Sequence, residues 1–331
     1  MKAAYITQPG PPHSIQWGEL DDPIPGATGI LIRIGAVSIN PIDTYIRSGM
    51  ISMAIPSPFI VGCDFAGTVE AIGSEVTRFQ IGDRVWGSNQ GLLGRQGTFA
   101  ERIVVDESFA YPTPPSQTDE SLAALALVSI TAHLGLVARA NLEEGETLFV
   151  NGGAGGVGST VIQMGKAMGA KVIASAGSED RAELCRQFGA DLAFNYNTRN
   201  LAEVLKSSGG GGIDVHWETS RVPDFQGAIG ALAENGRMVV MAGRDAQPAF
   251  PVGPFYVKGC RLVGFAMFKA SVSAQQTSAQ QIHQWLQAGA LRPHIGRRFP
   301  LSQSAKAHQL QEDNTLNGAG TLCGKIVLQP E

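Results

Sequence analysis

Cysteine is scarce: four residues, Cys63, Cys185, Cys260 and Cys323, are spread over a 331-residue chain with no CxxC pair among them. That usage excludes a disulfide scaffold and fits a reducing, cytoplasmic setting. Charge is thin as well. Charged residues make up 16% of the chain and the net charge is −4, so nothing invites nucleic acid or an acidic membrane surface. Nor are basic residues interleaved with aromatics in the manner of an RNA-binding face. No apolar run reaches membrane-spanning length. The segment Met1-Lys2-Ala3-Ala4-Tyr5-Ile6 reads as a strand and lacks the long apolar core of a signal peptide. The six histidines show neither triad nor metal spacing, and no repeat of solenoid period is present. The remainder is an ordinary globular composition, 44% hydrophobic, long enough for two domains with separate cores.

What the chain has in quantity is glycine, 41 residues, and one cluster of them stands out. The apolar run Thr147-Leu148-Phe149-Val150 reads as a buried strand and ends in Asn151-Gly152-Gly153-Ala154-Gly155-Gly156-Val157-Gly158. A helical pattern follows, with Val157, Val161, Met164 and Met168 on one face. Gly153, Gly155 and Gly158 meet the GxGxxG dinucleotide fingerprint, in which glycines allow a tight turn, a close approach to pyrophosphate and helix-on-strand packing. The helix start adds unpaired N–H groups and a positive dipole for the phosphates.

Around this motif the chain changes character twice. Residues 1–122 are mostly short β runs cut by Gly and Pro, with strands expected at Ile30–Val37, Phe65–Ile72, Arg84–Trp86 and Phe99–Val105. The proline-rich Tyr111–Pro115 is a connector, and helical periodicity runs from Asp119 to Ala140. Residues 123–268 then alternate strand and helix. Further strands are expected at Lys171–Ala176, Leu192–Tyr196, Ile213–Trp217, Arg237–Ala242 and Arg261–Phe265, and Ser178 caps the helix after the second. Six strands with crossovers predict an α/β doubly wound parallel sheet, the Rossmann pattern. Residues 269–331 hold one expected helix, Ala274–Ala288, and a last strand, Gly324–Leu328, which returns to the first domain.

Four stretches together carry a resemblance along essentially the whole chain. They are Asn40-Pro41-Ile42-Asp43-Thr44-Tyr45-Ile46-Arg47-Ser48-Gly49, Gly62-Cys63-Asp64-Phe65-Ala66-Gly67, Gly82-Asp83-Arg84-Val85 and the glycine loop from Asn151 to Gly158. The sequence resembles the zinc-independent NADPH:quinone oxidoreductases, the ζ-crystallin-like branch of the medium-chain dehydrogenase/reductase superfamily. The resemblance implies a GroES-like β-rich catalytic domain (1–122, closed by 269–331), an inserted NADPH-binding Rossmann domain (123–268) and an active site in a cleft. Zinc-dependent relatives carry metal ligands where this chain has Asn40, Cys63 and Asp64. The cysteine-rich lobe of structural zinc is missing too, so no metal is expected.

The dinucleotide can be read further. NAD-selective folds end the second strand with Asp or Glu; here Ala176-Gly177-Ser178 follows, with Arg181 one helical turn on. A missing acid and a present base favour NADPH. Tyr196, by resemblance, lies beside the adenosine ribose or phosphate, and equally reads as a packing aromatic. Ala242-Gly243-Arg244 and Ala266-Met267-Phe268, at the exits of the fifth and sixth strands, are expected to meet the nicotinamide end, with Thr131 a further candidate. For chemistry, the resemblance places Asn40 and Tyr45 near the nicotinamide, where either can donate to a developing oxyanion. As residues alone, Asn40 is also a turn former before Pro41, and Tyr45 a packing aromatic. Asp43 and Arg47, spaced i,i+4, are expected to pair locally. The reading is therefore reduction of quinones or related conjugated carbonyls by NADPH in a cytoplasmic homodimer or homotetramer. Two alternatives stand beside it: an enoyl or alkenal double-bond reductase, and an NADPH-binding protein with a structural or RNA-binding role.

Overall fold

A computed structural model describes residues 1–207 and 211–331. Contacts divide the chain into two units. One comprises residues 1–127, 271–287 and 292–331; the other comprises 128–270 and 288–291.

The first stretch of chain is built of β1 (Lys2–Ile6), β2 (Gln16–Glu19), β3 (Gly29–Ile39), helix α1 (Pro41–Ser48), β4 (Phe59–Ile60), β5 (Asp64–Ile72), β6 (Arg84–Gly87), β7 (Arg102–Asp106) and β8 (Ala110–Pro112). Along β3, Ile30, Ile32, Ile34 and Ala36 are all buried, the two-residue period of a strand with one face on a core. Helix α2 (Asp119–His133) continues as wider π-type turns through Leu134–Arg139. It is apolar on all sides, and the span Asp119–Arg139 corrects the expectation that no run is long enough to cross a membrane, since by length and composition it could; 78% of its most apolar window is buried, the property of a core helix.

The second unit runs β9 (Thr147–Asn151), α3 (Gly156–Ala167), β10 (Lys171–Ala176), α4 (Glu179–Gln187), β11 (Leu192–Asn195), α5 (Leu201–Ser207), β12 (Ile213–Glu218), α6 (Phe225–Ala231), β13 (Leu232–Val240), α7 (Val252–Val257) and β14 (Arg261–Gly264). Its six strands lie in the order β11-β10-β9-β12-β13-β14, every pair parallel. This is the doubly wound order with the switch point between β9 and β12. Helices on both faces explain the near-continuous apolar strands; Leu148, Phe149 and Val150 are all buried. Helix α3 is enclosed almost all round, Ser159 to Gly165 being buried. The single apolar face expected from Val157, Val161, Met164 and Met168 is thus too narrow: Val157 and Met168 are only partly covered.

The tail adds α8 (Val272–Gln287), β15 (Ile295–Pro300), α9 (Ser304–Thr315) and β16 (Lys325–Gln329), so the expectation of one helix and one strand there is corrected. Helix α9 escaped the sequence reading because its buried face is Ser304, Ala307, His308 and Gln311. The helical spacing is present, but small and polar residues carry it, so hydrophobic periodicity could not reveal it. Within the first unit, β16 pairs antiparallel with β3 and parallel with β15, giving the path β15-β16-β3-β5-β6-β8, with β7 also on β3. A second sheet is β2-β1-β4. The strand expected at Phe99–Val105 serves both sheets. The Phe99 carbonyl accepts from Ala4 and the Glu101 N–H donates to Lys2, each within 3.0 Å, before the ladder with β3 begins at Arg102.

Candidate functional site

In the second unit the parallel sheet brings the carboxyl ends of its described strands to one edge, and the glycine loop, Ala176–Ser178, Tyr196, Ala242–Arg244 and Ala266–Phe268 stand at or just beyond those ends. At the end of β9, Gly152 takes a left-handed φ of 79°, and Gly153 donates to the Ser175 carbonyl of β10 at 2.8 Å. The glycines differ in their surroundings. A Cβ on Gly158 would lie 2.2 Å from the Gly152 carbonyl oxygen, whereas one on Gly155 would meet nothing nearer than 3.4 Å. Gly158 is required by packing within the loop; Gly155 leaves space open at the start of α3, where the first N–H groups have no intrahelical acceptor. Gly156 and Val157 form the first turn of α3, and Ala154 is buried under the loop.

At the end of β10, Ala176 is buried and Ser178 caps α4, its Oγ accepting from the Arg181 N–H at 3.3 Å. The Ser178 hydroxyl hydrogen therefore points elsewhere, and Arg181 lies on the first turn of the same helix. Tyr196, half-exposed just beyond β11, brings its hydroxyl so close to Gly177 that a Cβ there would lie 2.7 Å from it. Gly177, Ser178 and Tyr196 thus meet beside the loop. Ala242, Gly243 and Arg244 follow β13, Gly243 with a φ of 80°, and Arg244 is exposed. Ala266 precedes a short 3-10 turn, Met267–Lys269, in which Met267 is buried and Phe268 half-buried. Thr131, on α2, is 4% exposed, and among the described residues its hydroxyl has no hydrogen-bond partner. A buried hydroxyl without a partner is costly.

Sequence reasoning missed what lies beneath this loop. Asn151 donates to the buried Glu218 at 2.8 Å and accepts from Ser175 at 2.6 Å, while Thr219 donates to the Asn151 carbonyl at 2.6 Å. These bonds join the ends of β9, β10 and β12. Asn151 and Glu218 had a signal in principle, as polar residues ending apolar strands.

The first unit holds the other constellation, and it is built from side chains. The antiparallel register sets Ser38 opposite Asp64. The Asp64 carboxylate accepts from Ser38 Oγ at 2.9 Å and Asn40 Nδ2 at 2.7 Å on one oxygen, and from the Leu127 N–H at 3.1 Å on the other. Lys325, first residue of β16, donates to the Ile39 carbonyl at 2.7 Å and to Asn40 Oδ1, with Asp64 3.7 Å away. Asn40 is the cap of α1, and its own N–H donates to Asp43 at 2.7 Å. Asn40, Asp43, Cys63, Asp64 and Lys325 are all buried. Tyr45 sits half-buried on α1.

Burial dominates the electrostatics here. It pushes the Asp43 carboxyl up to about 7, against the opposing pull of the Cys63 thiol and the Asn40 N–H. It raises Asp64, a rise that Lys325 and the surrounding donors oppose, and it lowers Lys325, held up in turn by Asp64 and Asp43. Burial and the neighbouring Asp43 keep the Cys63 thiol protonated. The local pair expected between Asp43 and Arg47 does not form. Arg47 points away, donating to the Gly10 carbonyl at 2.5 Å and pairing with Glu312 of α9, because the carboxyl of Asp43 turns back to cap its own helix. Among the described residues, no group of three or more His, Cys, Asp or Glu side chains is placed to hold a metal ion. Lys325 had one visible signal: it is a lone cation opening the apolar run Ile326-Val327-Leu328.

Comparison with known proteins agrees with both halves. Residues 26–115 match the family model of the alcohol dehydrogenase GroES-like domain, and residues 156–287 that of the zinc-binding dehydrogenases. The human quinone oxidoreductase is 30% identical over 330 residues, covering 99% of this chain and 97% of that protein. Among solved structures, one of an NAD-dependent alcohol dehydrogenase superposes with a TM-score of 0.90 at 28% identity, with full coverage of both chains. The Escherichia coli quinone oxidoreductase complexed with NADPH superposes at 0.85 with 25% identity, again with full coverage of both. The loop, the sheet order and this likeness along the whole chain place the protein in the quinone oxidoreductase family of the medium-chain dehydrogenase/reductase superfamily.

Proposed function

We propose that this protein reduces quinones or related conjugated carbonyl compounds by hydride transfer from NADPH, without a metal. The observation that carries the reading is the edge of the parallel sheet. It combines a glycine loop open at Gly155, no acid at the end of β10, and Ser178 with Arg181 on the next helix turn. A carboxylate there would bind ribose hydroxyls and repel a 2′-phosphate; a hydroxyl and a guanidinium do the reverse. When bound, NADPH supplies the hydride. The chain's part is to hold the dinucleotide along Gly153–Gly158, Gly177–Ser178, Arg181 and Tyr196. Thr131, Ala242–Arg244 and Ala266–Phe268 serve the nicotinamide end. As the hydride arrives, negative charge develops on the acceptor oxygen, and Asn40 and Tyr45 are the donors assigned to it. Alignment and exclusion of water supply the rest of the rate.

The same reading makes the protein a cytoplasmic homo-oligomer of at least two chains. Among the described residues its cysteines form no disulfide, and among the described strands β14 pairs with β13 alone. The exposed Leu262 on that strand, with Val252, Tyr256 and Val257 of α7, offers apolar surface at the edge of the sheet. The test is oxidation of NADPH and of NADH by chelator-treated protein against a panel of quinones and enals, followed through the absorbance of the reduced nicotinamide. Turnover of quinones with NADPH preferred supports the reading. Turnover of enals alone replaces it with alkene reduction, and preference for NADH removes the role of Arg181.

A further inference from the structure

Lys325 is 286 residues from Ile39, whose carbonyl it bonds, and it is a buried cation that the proposed hydride transfer does not use. Its surroundings give it a specific task. A side-chain amide has a broad, nearly two-fold torsional profile, so its oxygen and nitrogen ends are told apart only by their partners. An ammonium has donors and no acceptor; an ionised carboxylate has acceptors and no donor. Asn40 lies between one of each, with Oδ1 on Lys325 and Nδ2 on Asp64. Turning the amide over would set its NH₂ against the ammonium and its oxygen against the carboxylate. Two charge-assisted bonds would be lost and two repulsions gained.

Asp64 is in turn held by Ser38 and the Leu127 N–H, and Lys325 by the backbone of Ile39, so neither charge is free to follow the amide. The amide nitrogen carries two hydrogens. Asp64 takes one, and planarity then fixes the direction of the other.

We propose that Lys325 is a positioning residue for hydride transfer: with Asp64 it clamps the Asn40 amide so that an N–H, and never the oxygen, is presented to the acceptor. The proposal rests on the role given to Asn40 above. It makes β16 part of the reaction's machinery, acting through Asn40.

The experiment is a double-mutant cycle on the single-turnover rate of NADPH oxidation by benzoquinone, using the full chain with Lys325→Met, Asn40→Ala and both together. Lys325→Met lowers that rate on the order of 100-fold, the scale expected of a misplaced group, and leaves NADPH affinity unchanged. In the Asn40→Ala background the same substitution has no further effect, and Lys325→Arg restores most of the rate. Losses that multiply in the double variant, or an unchanged rate in Lys325→Met, overturn the proposal. A full rate in Asn40→Ala overturns the role of Asn40 itself, a separate failure read from a separate protein. Should Lys325→Met not fold, Lys325→Met with Asp64→Asn removes both buried charges together. The proposal requires the same loss of rate there, and a wild-type rate in that folded variant ends it.

Discussion

The two units solve the same problem, placing polar groups in a protected site, with different materials. In the parallel-sheet unit the groups are backbone: glycines that keep side chains out of the way and the first N–H groups of α3. In the other unit they are side chains: Asn40 and Asp43 from the start of α1, Asp64 from β5 and Lys325 from β16, all buried. A backbone site offers its ligand no desolvated ion, and here the buried Glu218 only braces the strands beneath it. A side-chain site must remove ions from water and then satisfy each of them. The second should therefore be fragile to single changes of charge, and the first to single changes of volume.

The largest expected effect tests the charged site. Lys325→Met leaves Asp64 buried without its cation and should lower unfolding free energy by about 3–5 kcal/mol. Adding Asp64→Asn should recover a large part, since a neutral amide is cheaper to bury. Urea denaturation of the two variants checks both halves. If the single change is silent, the pair is not the organising feature of this unit.

Next comes volume in the glycine loop. Gly158→Ala puts a Cβ 2.2 Å from the Gly152 carbonyl oxygen, a backbone atom that cannot yield alone. Stability should fall by about 1–3 kcal/mol and NADPH binding should be lost. Gly155→Ala has room in the free protein and a φ of −77° that alanine tolerates. It should leave stability within about 0.5 kcal/mol of wild type while weakening NADPH. Calorimetric titration and thermal melts of the two variants separate packing from ligand contact.

The pH dependence sharpens the contrast further, because the titrating groups with the large shifts belong to the side-chain unit. His308 on α9 is fully buried, with neither ring nitrogen hydrogen-bonded among the described residues, and burial beside Arg47 depresses it to about 3. Its folded pKa lies below its unfolded one, so stability is full above about 6.5 and is lost as pH falls toward 3. Asp43 runs the other way. Raised to about 7, it contributes fully below its unfolded pKa of about 3.9, and that contribution is lost as pH rises toward 7. Between these limits the two slopes, each about 1.4 kcal/mol per pH unit, oppose one another and largely cancel, the raised Asp64 adding to the fall as pH rises. His308→Leu removes one of them. Its stability should then fall as pH rises from about 4 to 7, as denaturation at several pH values will show.

The smallest effect is at the sheet edge. Arg181→Ala should reduce the preference for NADPH over NADH by about tenfold, roughly the worth of one exposed charge-assisted contact, with little change in melting temperature. The ratio of kcat/KM for the two dinucleotides is the readout.

What the sequence by itself determined follows from locality. The turn at Asn151–Gly158, the cap at Ser178, the missing acid at Ala176 and the alternation of strands and helices are all short-range patterns. Each sets backbone geometry within a few residues, and chain order then leaves one parallel sheet. Asn40 and Tyr45 were visible as a stretch, but their surroundings were not. The tertiary structure decided that Arg47 turns to Glu312 and leaves Asp43 to the helix cap. It decided that α9 buries serine, histidine and glutamine, and that Lys325 reaches Asn40 from the end of the chain. A buried ion depends on whatever partner the fold brings within a few ångströms, and no period or spacing along the chain encodes which partner that is.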